Sequence, residues 1–107
     1  MNIGNIFEKV IINPDEEIFE DILAQDKIKI ERIVSYGQST PEKEWYDQDW
    51  DEWVMLLKGS AGLKFENDRK IITMRPGDYI FIPRNIRHRV EFTDKDEASI
   101  WLAIHIW

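Results

Sequence analysis

The chain has 107 residues, enough for one domain and too few for two of ordinary size. Its 14 Lys and Arg stand against 21 Asp and Glu, a formal net charge of -7. That is the wrong sign for a general nucleic-acid binder, which must neutralise phosphates. The hydrophobic fraction of 43% permits a packed core, yet no apolar run nears the ~20 residues of a membrane helix. Cysteine is absent, which excludes disulfides, thiolate nucleophiles and Cys-based metal sites. Residues Met1 to Lys9 carry neither a basic start nor a long apolar stretch, so no signal peptide is expected and a cytoplasmic location is the default.

In chain order, Asn13-Pro14-Asp15-Glu16 reads as a helix start: a cap, a proline at the first position, and acids at the positive end of the dipole. Ile18 with Ile22 and Phe19 with Leu23 are i,i+4 apolar pairs, so the spacing predicts a short helix around 14–24. Glu16, Glu17, Glu20 and Asp21 then form its wet face. From Lys27 the period changes to two, and Lys27-Ile28-Lys29-Ile30 alternates as a half-buried strand does. Short strands follow at Trp53–Leu57, Leu63–Phe65, Ile71–Met74, Tyr79–Ile82, Arg87–Phe92 and Ile100–Trp107, each bounded by turn residues. Many short strands with no helix between them predict an all-β sandwich or barrel, with no repeat and no linker. The five Trp residues read first as core or interface packing.

Two segments carry a spaced pattern. In Gly77-Asp78-Tyr79-Ile80-Phe81-Ile82-Pro83-Arg84-Asn85-Ile86-Arg87-His88, the residues Gly77, Pro83 and His88 stand in register with the second motif of the cupin superfamily. Asn85 replaces that motif's second Gly, and Asn is the residue that best tolerates positive φ after Gly. Phe92 stands in for its final Asn. Upstream, Glu52 and Gly59 match the Glu and Gly of the first cupin motif, while Tyr46 and Gln48 occupy its two histidine positions. The chain therefore resembles a small single-domain cupin with a degenerate first motif. The resemblance implies a jelly-roll β-barrel over 1–107, with the N-terminal helix and strand in 1–35 and the motif-bearing core in 44–107. It also implies a homodimer.

An imidazole and a carboxylate inside such a barrel can hold a metal or act as an acid–base pair. The candidate pocket is Tyr46, Gln48, Glu52, His88 and His105. The candidate metal set is Gln48, Glu52 and His88, for one divalent transition metal (Fe, Mn, Ni or Zn). Gln48 offers only a neutral amide, Tyr46 must first lose a proton, and His105 contributes only if its strand borders the site. Tyr46 is the candidate proton donor. Arg84, Arg87 and Arg89, with Arg75 nearby, form the one local concentration of positive charge. Arg87 and Arg89 point opposite to His88 in a strand, toward an outer face, and an anion site is the sharper alternative.

Three functions compete. One is a binding module for a small polar molecule, with or without a metal. The second is a metal-dependent enzyme of dioxygenase, isomerase or lyase type. The third is a self-associating barrel with a filled core. Neither a nucleic acid nor a membrane is an expected partner.

Overall fold

A computed structural model describes all residues 1–107 and contains eight strands and no helix. In chain order they are β1 (Ile18–Gln25), β2 (Ile28–Ser35), β3 (Asp51–Lys58), β4 (Ala61–Phe65), β5 (Ile71–Met74), β6 (Tyr79–Ile82), β7 (His88–Thr93) and β8 (Ser99–Ile106). They form a five-stranded sheet in the order β1-β2-β8-β3-β6 and a three-stranded sheet in the order β5-β4-β7. Every pairing is antiparallel.

The helix expected around 14–24 is not there. Asn13 does accept a hydrogen bond from the Asp15 N–H at 2.9 Å, as a helix cap would, but the turn is not propagated. Residues 18–25 instead pair with β2, from Ile18↔Val34 to Gln25↔Ile28, around the two-residue turn Asp26-Lys27. An isolated helix of three turns is marginal in water. The same backbone is satisfied along a neighbouring strand at no such nucleation cost. A register shift between Asp21 and Leu23 breaks the period of two, and this is why the i,i+4 pairs resembled a helical stripe.

Between the sheets lies a core of Val54 and Leu56 from β3, Ala61 and Leu63 from β4, and Met74, Ile82, Trp101 and Ala103. Each large aliphatic buried here contributes about 1.5–3 kcal/mol. Of the five Trp, only Trp101 belongs to this buried core. Two backbone devices fix the loops. Gly59 has φ +86°, and a Cβ there would come within 2.3 Å of the Ser99 hydroxyl oxygen, so no other residue fits without movement. Asn85 takes a φ of 65°, as its place in the motif anticipates, and its N–H donates to the Gln48 carbonyl at 2.7 Å. A two-way backbone bridge between Tyr46 and His88 completes the attachment of segment 45–50 to β7.

The N-terminal arm is held by one buried cation. Arg32 on β2 pairs with Glu20 at 2.7 Å and donates to the carbonyls of Ile6, Glu8 and Lys9. Glu20, expected on the wet face of a helix, is therefore the counter-charge of Arg32.

Candidate functional site

At one end of the barrel the core gives way to a cavity of about 470 Å3. The pleat sends alternate residues inward, so β3 presents Glu52 and Val54, β7 presents His88 and Val90, and β8 presents Trp101 and His105. Tyr46 and Gln48 reach the same space from the segment before β3. All five candidate pocket residues thus border one cavity. Gln48, Glu52, His88 and His105 are buried, and Tyr46 stands at the rim with 43% of its surface exposed.

The two histidines are held in opposite ways. His88 Nδ1 lies 3.0 Å from the Ile86 carbonyl, which can only accept, so Nδ1 carries the proton. The other nitrogen, Nε2, has no hydrogen-bond partner, and its nearest charged atom is Glu52 Oε1 at 4.0 Å. His105 Nδ1 accepts from the Trp50 indole N–H at 2.8 Å. An indole N–H only donates, so the proton of His105 is on Nε2, 2.7 Å from Glu31 Oε1. Both nitrogens of His105 are therefore engaged, and one nitrogen of His88 is free and faces the cavity.

The carboxylates differ as well. Glu52 Oε1 accepts from the Gln48 amide at 3.1 Å, while Oε2 accepts nothing from the protein. Burial pushes the Glu31 carboxyl up, but the hydrogen bond from His105 and the charge of Lys29 at 3.6 Å outweigh it and hold Glu31 below the usual range. Burial pushes the Glu17 carboxyl up, and a bond from the Ser35 hydroxyl offsets this only in part. The Tyr46 phenol is raised by burial and then by the negative charges of Glu17, Glu52 and Glu31. Its ring stacks on His88 with centroids 5.6 Å apart.

Five charged cavity residues were not among the sequence candidates: Asp47, next to Gln48, and four from the N-terminal hairpin. Glu17 and Asp21 enter from β1 and the residue before it, and Lys29 and Glu31 from β2. Glu17 and Asp21 were assigned to a solvated helix face; with that helix replaced by a strand, both border the cavity, Glu17 half-buried and Asp21 exposed. A period-two count over Glu17, Phe19 and Asp21 is the signal that would have found them.

A transition-metal site wants about three or four protein ligands. No three His, Cys, Asp or Glu side chains converge anywhere in the chain. Of the proposed set, Gln48 adds only an amide already bonded to Glu52, and the raised Tyr46 phenol resists becoming a phenolate. His105 has no free nitrogen. These residues do not fit a tightly held divalent metal. The arginines do not form an anion site either. Arg84 pairs with Asp51, Arg87 with Glu66 and Asp47, and Arg89 with Glu91 and the carbonyls of Thr40, Pro41 and Glu44.

Comparison with known proteins gives a consistent fold assignment. The cupin domain family model matches residues 32–105. No protein of curated function matches the sequence. A crystal structure from Ralstonia eutropha JMP134, provisionally named a mannose-6-phosphate isomerase, is 45% identical with a TM-score of 0.95. The match covers 99% of this chain and 98% of that one. A cupin superfamily protein from Desulfitobacterium hafniense DCB-2 is 18% identical over 91% of this chain and 83% of that one, with a TM-score of 0.74. A polyketide cyclase from Streptomyces resistomycificus is 20% identical over 99% of this chain and 79% of that one, with a TM-score of 0.77. These last two share the fold alone.

Proposed function

The chain belongs to the cupin domain family, and we propose that its barrel binds a small organic molecule directly, with no metal between ligand and protein. One observation carries this reading: His88, a residue only 5% exposed, turns an Nε2 with no protein hydrogen-bond partner to the open cavity. Facing the cavity, that nitrogen is open to water, and a bound molecule can take the water's place on it. The Glu52 carboxylate beside it offers a second acceptor. A volume of about 470 Å3 is within the range of ordinary ligand pockets and weighs against a filled structural barrel.

The test is elemental analysis of untagged protein, followed by a thermal-shift screen of small metabolites. Metal well below one equivalent is expected, along with hits whose shift disappears in His88→Ala. Near-stoichiometric metal lost in His88→Ala would overturn the reading.

A second reading is acid–base catalysis on the bound molecule. The free nitrogen of His88, 4.0 Å from a carboxylate in a buried site, is placed for proton abstraction. Tyr46 suits the role of acid less well, because its raised phenol gives up its proton reluctantly. The isomerase name of the Ralstonia protein does not carry over easily. A sugar phosphate needs cationic or N–H donors, and the cavity wall has Lys29 as its one permanent cation.

Self-association is part of the same proposal. Tyr79 and Phe81 are exposed on the outer face of β6, with Trp53 packed on Tyr79 at 5.4 Å. A second copy would cover this patch. Light scattering behind size exclusion should give a dimer that Phe81→Glu converts to monomer; a wild-type monomer would refute it.

A further inference from the structure

We infer that the ligand of this cavity carries a positive charge: an organic ammonium or guanidinium group on an apolar or aromatic body. This rests on the reading of the cavity as a ligand site and adds the class of molecule that enters it.

Charge is the first observation. Glu17, Asp21, Glu31, Asp47 and Glu52 border the cavity, against Lys29 and two histidines. Lys29 is engaged by Glu31 at 3.6 Å, and Asp47 faces Arg87 at 3.8 Å. That leaves Glu17, Asp21 and Glu52 with no Lys or Arg. Glu17 and Glu52 have only neutral donors beside them, the Ser35 hydroxyl and the Gln48 amide. The Tyr46 phenol, raised first by burial, is raised further by the negative charges of Glu17, Glu52 and Glu31 around it.

Hydrogen-bond polarity is the second, independent observation. His88 is 5% exposed and turns Nε2, which has no hydrogen-bond partner, toward the cavity. Glu52 turns a free carboxylate oxygen. The carboxylate oxygen can only accept, and Nε2 accepts too in the neutral ring whose proton is on Nδ1, so the ligand is called on to bring the donors. An ammonium or guanidinium brings N–H donors and charge in one group. A carboxylate or phosphate brings acceptors to acceptors.

The rest of the wall describes the body. Half of the lining residues are hydrophobic, and the rings of Tyr46 and Trp50 stand at its edge, where an aromatic face also attracts a cation. A bare metal ion would waste this surface and lacks three converging ligands. An organic cation needs only one or two carboxylates and fills the remaining space.

Three probes with one ring and different head groups separate the possibilities: phenethylamine, 2-phenylethanol and phenylacetate. Heteronuclear NMR titration of the full chain, followed at the indole N–H resonances of Trp50 and Trp101, gives affinity and location together. Phenethylamine should bind about tenfold or more tighter than phenylacetate, with the alcohol between them. Glu52→Gln should weaken the amine about tenfold and leave the alcohol within about twofold. Asp21→Asn, on an exposed position of β1, should weaken the amine about twofold and guards against a folding defect in Glu52→Gln. Phenylacetate binding as tightly as the amine would overturn the positive charge and leave the cavity as a ligand site. Amine binding that neither carboxylate variant weakens would do the same. If no probe shifts either indole at millimolar concentration, the cavity reading fails along with it.

Discussion

The two histidine neighbourhoods share one cavity and teach opposite lessons. Around His105, every polar atom is matched within the chain: Trp50 donates to one nitrogen and Glu31 accepts from the other. Around His88, one nitrogen is fixed by the Ile86 carbonyl and the other has only Glu52, at 4.0 Å. Burial is the same, 5% and 7% exposed, so burial does not distinguish them. Partner count does. A saturated buried polar group holds the fold together, and an unsaturated one facing space is available to a ligand.

The largest expected effect breaks this comparison most directly. His105→Ala removes two hydrogen bonds and leaves the Glu31 carboxylate buried with only Lys29 near it. Leaving a buried carboxylate without its hydrogen-bond donor costs about 1–3 kcal/mol or more. His88→Ala removes one bond to a backbone carbonyl, worth about 1 kcal/mol. Urea denaturation of both variants should therefore rank His105→Ala well below His88→Ala in stability. Ligand binding should show the reverse dependence, lost in His88→Ala. Equal stability losses would mean that the two neighbourhoods do not divide structure from function.

A smaller effect sharpens the contrast through pH. Glu31 is held low in the folded state, so its contribution is present above the unfolded value near 4.5 and is lost as pH falls through the folded value. Glu17 is held high, so its buried charge costs stability at neutral pH, and that cost is relieved as pH falls through the raised value. Glu17→Gln should raise Tm by a few degrees at pH 7 and converge on wild type by about pH 4. Glu31→Gln should lower Tm at pH 7, with the deficit shrinking below that same region. Scanning calorimetry across pH 3 to 8 checks both, and a destabilised Glu17→Gln at neutral pH would contradict the assignment of Glu17 to the unsatisfied side.

These distinctions were only partly visible in the sequence. Gly59, Gly77, Pro83 and Asn85 mark turns, and turn chemistry is local, so the order of strands and the positions of Glu52 and His88 could be read from spacing. Strand β1 could not, because a bulge near Ile22 gives an edge strand the spacing of a helix. The wall of β2 was misread for another reason. Alternation places apolar residues inward by default, yet here Lys29 and Glu31 face the cavity and Ile28 and Ile30 lie half-buried on the opposite face. That rule assumes an oily interior, and this end of the barrel is polar. The partners of His105 were out of reach of any local pattern, since Trp50 and Glu31 lie 55 and 74 residues away in the chain.

The smallest effect isolates a single bond on the saturated side. Trp50→Phe keeps an aromatic ring beside Trp107, now at 5.2 Å, and deletes the N–H that His105 Nδ1 accepts together with part of the ring surface. The cost should be about 1 kcal/mol, the ordinary worth of one partly buried hydrogen bond. His105 stays anchored by Glu31, so its Nε2 proton should persist in histidine-selective NMR, and the His88 resonances should not move. The variant then has two unpartnered imidazole nitrogens at the cavity where wild type has one. If the free nitrogen is what recruits a ligand, Trp50→Phe should bind the amine probe at least as well as wild type with lower stability. A loss of binding comparable to His88→Ala would make the indole ring, rather than the free imidazole nitrogen, a main determinant of binding, and the line between the two neighbourhoods would have to be redrawn through that ring.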